Sequence, residues 1–228
     1  MADDATPIVH LYILLDRSGS MQSMVGSVLE GFNGLLDKQL ADGPDARVTL
    51  VQFDSHDPHE VIADGVPIAE MVPLTVQVFE PRGGTPLLDA TGRMIGRAAA
   101  HRAGLLEQGH PAEQIVMVTI TDGEENQSHE FNRQQLVELV TAKTAEGWSF
   151  VYLGAGIDAY SDAEALGYDP RSVQAWAPDA TGAGEAFASL SLKTQDMRRK
   201  VRGRELIDQA DFFEGDKPAE SDRRRRGK

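Results

Sequence analysis

The sequence predicts an α/β fold: a Rossmann-like, doubly wound, mostly parallel sheet with one antiparallel edge strand and helices on both faces. Three observations predict it. Short apolar runs alternate along the chain with segments whose apolar residues recur at spacings of three and four. Two of the runs, Ile8 to Leu15 and Ile115 to Ile120, are nearly continuous in apolar side chains, the pattern of parallel strands covered on both faces. One further pair of strand-like runs is separated only by the turn Asp54 to Pro58, which suits a hairpin and hence an antiparallel edge.

The elements follow in order. Ile8 to Leu15 is the first strand. Met24, Val28, Leu29, Phe32, Leu35, Leu36 and Leu40 trace one face of a helix, ended by Asp42-Gly43-Pro44-Asp45. Val48 to Phe53 and Glu60 to Ile68 are strands. Pro67, Pro73, Pro81 and Pro86 make the next stretch irregular, with a short strand expected at Val76 to Phe79. A helix spans Leu87 to Glu107, a strand Ile115 to Ile120, and a helix Arg133 to Glu146 that Gly147 closes. Phe150 to Leu153 is a strand, Ala159 to Leu166 a short helix, Ser172 to Trp176 a last strand and Gly184 to Arg202 a last helix. The expected layout is an N-terminal extension over 1–7, one domain over 8–202, and a charged, mobile tail over 203–228.

Composition bounds the function. A chain of 228 residues with 41% hydrophobic and 25% charged residues has ample material for one soluble domain. It contains no apolar run of membrane-spanning length. The acidic start Met1 to Pro7 lacks the apolar core of a signal peptide, so the expected location is cytoplasmic. Having no cysteine excludes disulfides, thiolate metal sites and cysteine nucleophiles. A formal net charge of −14 argues against general nucleic-acid binding and favours cations or basic partner surfaces.

The chemistry-bearing residues cluster where strands end. Asp16-Arg17-Ser18-Gly19-Ser20 follows the first strand directly. In a locally extended loop, alternate residues point the same way, so Asp16, Ser18 and Ser20 can aim three oxygens at one point. Oxygen donors without nitrogen or sulfur suit Mg²⁺, Ca²⁺ or Mn²⁺. The plain alternative is a Ser/Gly turn in which Ser18 or Ser20 caps the next helix. Gly83-Gly84-Thr85-Pro86 precedes the long helix and brings the Thr85 hydroxyl to the same rim. Thr121-Asp122-Gly123 ends the second apolar strand as Asp16 ends the first. In an open α/β sheet, ligands bind beyond the carboxyl ends of the strands. Two carboxylates and three hydroxyls on three such loops therefore make a joint signal that none of them makes alone.

With these residues in place, the chain resembles the von Willebrand factor A-type domain, and its loops resemble that family's metal-ion-dependent adhesion site (MIDAS). Asp16, Ser18, Ser20, Thr85 and Asp122 match the five positions in order, and the resemblance covers roughly Ile8 to Arg202. Gly83 to Ala90, Thr121 to Asn126 and Leu153 to Ala159 are similar to stretches of small stand-alone bacterial cytoplasmic members. Some of these are encoded beside tellurite-resistance or phage-related functions, and others work beside AAA-type ATPases. The resemblance implies that Ser18 and Ser20 bind Mg²⁺ (or Mn²⁺, with Ca²⁺ less suited) directly. It implies that Thr85, Asp16 and Asp122 bind directly or through water. A partner protein's Glu or Asp completes the shell. The expected function is a metal-dependent protein-protein interaction module, not an enzyme. Asp89, one helical turn past Thr85, reads either as an outer partner of this site or as a solvent-facing residue. Glu124, Glu125 and Asn126 read as an acidic, solvated loop.

Rival functions find less support. A haloacid-dehalogenase-type phosphatase needs a second Asp where Ser18 stands, and no P-loop is present. Gly154-Ala155-Gly156 is not completed to G-x-G-x-x-G and reads as a tight turn. His10, His56, His59, His101, His110 and His129 form no H-x-x-x-H pair, and no Ser-His-Asp arrangement can be assigned. A metal-dependent phosphoester hydrolase remains the enzymatic alternative, without an evident general base. The basic end Arg223 to Lys228 reads as a solvated segment able to fold back on the acidic body.

Overall fold

A computed structural model describes residues 7–156, 158–177 and 179–213. Six strands form one sheet in the order β3-β2-β1-β4-β5-β6. They are β1 (Val9–Asp16), β2 (Ala46–Phe53), β3 (Glu60–Pro67), β4 (Gln114–Thr121), β5 (Ser149–Ala155) and β6 (Val173–Trp176). All neighbouring pairs are parallel except β2–β3, which makes β3 the antiparallel edge. The helices are α1 (Val25–Asp42), α2 (Leu87–Glu107), α3 (Arg133–Ala145), α4 (Ala159–Glu164) and α5 (Ala180–Arg202).

β1 shows why the sheet is covered on both sides. All eight of its residues are buried, and its alternate side chains enter different cores. Val9, Leu11, Ile13 and Leu15 join α1 and α5 on one face. Tyr12 and Leu14 join α2, α3 and α4 on the other. The period of two that directs these side chains apart thus produces a three-layer sandwich. β1 also lies between β2 and β4, where the order of connections reverses. The carboxyl ends of β1 and β4 therefore open onto the crevice at which such sheets take ligands.

Two expectations fail. Val76 to Phe79 is a turn rather than a strand: Val78 and Phe79 both donate backbone N–H to the Thr75 carbonyl. Phe79 is buried while Val76 and Val78 are exposed, so one aromatic anchor, not an extended apolar run, sets this segment. The chain also stays with the domain past Arg202. Phe212 and Phe213 are buried in the α1–α5 core, the Phe213 N–H bonds the Arg171 carbonyl at 3.2 Å, and Ser172 Oγ donates to the Ala210 carbonyl at 2.9 Å. Two adjacent aromatics outweigh the charged residues around them. Residues 1–6 of the expected 1–7 extension, and residues 214–228 with the basic end, lie outside the described residues.

Candidate metal centre

The β1 strand delivers Asp16 fully buried at its end. Asp16 Oδ1 accepts the Ser18 backbone N–H at 2.6 Å, which bends the chain immediately after the strand. Asp16 Oδ2 accepts the Thr121 hydroxyl at 2.6 Å. Thr121 ends β4, so the neighbouring strand fixes the carboxylate's orientation. The D-x-S-x-S segment is not extended throughout. Ser18 is extended (φ −66°, ψ 165°), but a 3₁₀ turn begins at Gly19 and runs to Met24. The hydroxyls still meet, with Ser18 Oγ and Ser20 Oγ 3.0 Å apart. Ser18 occupies the cap position of that turn without making a side-chain cap bond, so the plain capping role is not what its hydroxyl does. Ser20 Oγ donates to Asp122 Oδ1 at 2.7 Å, linking the first loop to the one after β4.

Thr85 reaches the rim on a loop stitched to the first. Gly19 N–H bonds the Gly83 carbonyl at 3.1 Å, and Arg82 N–H bonds the Arg17 carbonyl at 2.8 Å. Gly83 has φ +66°, and a β-carbon there would lie 2.5 Å from Ser55 Oγ, so both backbone and space require glycine. Ser55 Oγ in turn accepts the Gly84 N–H at 2.9 Å.

The position of Gly123 defines where these oxygens converge. A β-carbon on Gly123 would sit 2.7 Å from Thr85 Oγ1, 3.5 Å from Asp16 Oδ2 and 3.5 Å from Ser18 Oγ. Oxygens from two loops thus meet Gly123 of the third around one small space that only a glycine leaves open. With metal–oxygen bonds of 2.0–2.1 Å, adjacent octahedral ligands lie about 3 Å apart. The Ser18–Ser20 separation matches such an edge. The donor set is entirely oxygen. It fits a small hard cation such as Mg²⁺ or Mn²⁺.

The electrostatics agree with that fit. Burial, reinforced by the nearby Asp122 carboxylate and only partly offset by bonds from Thr121 and Ser18, pushes the Asp16 carboxyl up to about 7. Burial also raises Asp122, against the bond from Ser20. A buried and a half-buried carboxylate this close resist ionising together, and a divalent cation relieves both.

Two supporting residues, Arg17 and Asp54, carried no readable signal in the sequence. Arg17, between the first two site residues, turns its guanidinium to Asp54 Oδ2 at 2.7 Å (Nη2) and 2.9 Å (Nε) and to Gln52 Oε1 at 3.1 Å. It also meets Glu60. Asp54 is fully buried and accepts the His56 and Asp57 N–H groups at 2.6 and 3.0 Å. Asp89 is buried and is not solvent-facing. Its carboxylate accepts the N–H groups of His129, Glu130 and Phe131. Burial raises the Asp89 pKa, but these three bonds more than offset it and hold the group below its ordinary value. Glu125 is not a free acidic side chain either. Its carboxylate accepts the N–H groups of Gln127 and Ser128 in its own loop and of Leu88 at the start of α2. Each of these contacts spans loops distant in sequence, or forms only once the loop is folded, so local spacing does not reveal it.

No protein-family model matches the chain, and no curated protein matches its sequence. Solved structures match its fold. The SpRpn10 VWA domain superposes with a TM-score of 0.55 at 12% identity, covering 78% of this chain and 93% of that one. The fold is that of a von Willebrand factor A domain. The pilus adhesin SpaC from Lactobacillus rhamnosus GG, in its open conformation, gives a TM-score of 0.60 at 11% identity over 89% of this chain. Proximal thread matrix protein 1 from the mussel byssus, with a zinc-occupied MIDAS motif, gives 0.54 at 16% over 84%. This von Willebrand A fold accounts for only 31% of the adhesin and 49% of the thread protein.

Proposed function

We propose that this von Willebrand A fold is a metal-dependent protein-interaction module. Ser18, Ser20 and Thr85 would supply neutral oxygens to a divalent ion, and Asp16 and Asp122 would supply charge directly or through water. The oxygens of Asp16, Ser18 and Thr85 meet around the space beside Gly123, and that convergence supports an ion there. The zinc-occupied MIDAS of the mussel protein supports a divalent cation in a comparable fold. Mg²⁺ or Mn²⁺ is the reading the all-oxygen set favours. When bound, such an ion offers an electrophilic position for a carboxylate from a partner. The chain's own residues hold that position at the rim. Asp16 is locked by Ser18 N–H and Thr121, Thr85 by the loop around Asn126, and Ser20 by Asp122.

The partner is therefore a protein presenting Glu or Asp. Binding, not turnover, is the expected activity. A place beside an AAA-type ATPase or in a stress- or phage-related complex belongs to this same proposal. Among the described residues, no helix is long and apolar enough to cross a membrane.

The test is thermal stability against Mg²⁺ and Mn²⁺ for wild type and for Asp16→Ala, Ser18→Ala and Asp122→Ala. Ions that bind only the folded state raise its stability by mass action, about 2.7 kcal/mol at a hundred times Kd. Wild type should gain and the variants should not. Equal responses in all four would remove the site. Capture of a partner from native lysate should be lost with chelator, and a phosphoester screen with metal should show no turnover.

A further inference from the structure

His10 is the second residue of β1, on the face it shares with Tyr12, whose ring it stacks at 4.0 Å. It is 1% exposed. A buried imidazole needs partners for both nitrogens, and Thr49 and Glu113 supply them here. His10 Nε2 lies 2.9 Å from Thr49 Oγ1 on β2. His10 Nδ1 lies 2.7 Å from Glu113 Oε2, just before β4. His101, from the C-terminal third of α2, sets its ring edge-on to His10 with centroids 5.1 Å apart. Its Nε2 is 3.3 Å from the same Glu113 Oε2. One nitrogen of each histidine and one carboxylate oxygen thus lie within 4.8 Å of one another.

We propose that His10 Nδ1, His101 Nε2 and Glu113 Oε2 form a second divalent-metal site, selective for a borderline transition ion such as Zn²⁺ over Mg²⁺. Two imidazoles and one carboxylate are a donor set that Zn²⁺ accepts, and Mg²⁺ prefers oxygen alone. With bonds of about 2.0–2.2 Å, donors in a tetrahedral zinc site stand about 3.3–3.6 Å apart. The His101–Glu113 separation already falls there. The His10–Glu113 separation is the length of the hydrogen bond that occupies it, and an ion there replaces the bridging proton.

The outer contacts are those of a built site. A metal-bound histidine uses its other nitrogen to fix its tautomer and orientation, and Thr49 stands at His10 Nε2. Thr49 is itself fixed, because its Oγ1 accepts the Gly65 N–H at 2.9 Å. Arg47 Nε holds Glu113 Oε1 at 3.1 Å, leaving Oε2 for the ion. Burial holds the His10 imidazole below its usual range despite the opposing pull of Glu113. The ring proton between Nδ1 and Glu113 leaves Nδ1 when an ion takes that position, and Nε2 then donates to Thr49 Oγ1. His101 is partly exposed, so the cluster meets solvent on that side. The site is separate from the oxygen centre. His10 and Asp16 stand at opposite ends of β1, about 20 Å apart at 3.3 Å per residue.

The test is Co²⁺ and Zn²⁺ titration of the full chain in excess Mg²⁺, read by the visible absorption of tetrahedral Co²⁺ and its displacement by Zn²⁺. The expected result is one equivalent of Co²⁺ that Mg²⁺ does not displace. His101→Ala removes a partly exposed ligand without opening a cavity. It should weaken Co²⁺ and Zn²⁺ binding by about 100-fold, at the upper end of the 10–100-fold cost of losing an outer partner alone, while leaving the Mg²⁺ response intact. Asp16→Ala should leave the Co²⁺ spectrum unchanged. Three results would each overturn the assignment: no tetrahedral Co²⁺ signal, an unchanged Co²⁺ affinity in His101→Ala, or a signal that vanishes in Asp16→Ala.

Discussion

Thr85 and Asn126 bind each other twice. The Thr85 N–H donates to Asn126 Oδ1 at 2.9 Å, and the Asn126 N–H donates to the Thr85 carbonyl at 3.1 Å. The loop before α2 and the loop after β4 are thereby clamped, and the site residues on each keep their distance. Asn126→Ala removes the side-chain half of the clamp. Mn²⁺ or Mg²⁺ affinity should fall about 10–100-fold, while metal-free stability falls by about 1–3 kcal/mol because the buried Thr85 N–H loses its acceptor. Calorimetric titration beside a chelator-treated melt separates the two effects.

Gly123→Ala should act more directly. Its φ is not in the left-handed region, so alanine suits the backbone, but the new methyl would lie 2.7 Å from Thr85 Oγ1. It fills the space where the oxygens converge. The fold should survive with a loss of about 1–3 kcal/mol from overpacking, and the metal-dependent rise in melting temperature should disappear.

The Arg17–Asp54 pair predicts the shape of the acid limb. Burial opposes ionisation of Asp54, but the N–H groups of Asp57 and His56 and the Arg17 guanidinium hold its pKa below the ordinary 3.8. A carboxyl depressed in the folded state contributes its full stability above the unfolded value. It loses that contribution as pH falls through the lower native value. Asp54→Asn should therefore cost about 1–3 kcal/mol at neutral pH by leaving a buried guanidinium short of its partner. The difference from wild type should narrow below about pH 3.8, as urea denaturation at several pH values would record.

Two glycines of α1, three residues apart, should respond with opposite signs. A β-carbon on Gly31 would lie 2.3 Å from Phe187 Cδ2 on α5, and one on Gly34 meets nothing within 4 Å. Gly34→Ala should stabilise the helix by about 0.5–1 kcal/mol. Gly31→Ala gains the same propensity but forces α1 and α5 apart, for a net loss of about 1–3 kcal/mol. Denaturant midpoints of the two variants would decide it.

The order of strands and helices was legible because burial on both faces leaves apolar runs, and burial on one face leaves spacings of three and four. The five rim residues were legible because strand ends in such a sheet share one edge. Asp16 at the end of β1 and Asp122 after β4 needed only the topology to become neighbours. The turn at Val76 to Phe79 has a strand's composition in its valines, while Phe79 alone finds a place in the core. Phe212 and Phe213 were hidden in a charged segment that shows no periodicity, since two adjacent anchors make no repeat.

The sequence by itself determined the fold class, the rim and the oxygen chemistry of the candidate site, all of which follow from local pattern and strand-end position. Only the tertiary structure decided how that site is held. Thr121 on Asp16, Asn126 on Thr85, Asp89 on the 129–131 loop and Arg17 on Asp54 are contacts between segments far apart in the chain. The same holds for His10, His101 and Glu113, which no spacing links and which the sheet and α2 bring together. Periodicity records which face of an element is buried. It carries no record of which distant polar group waits there.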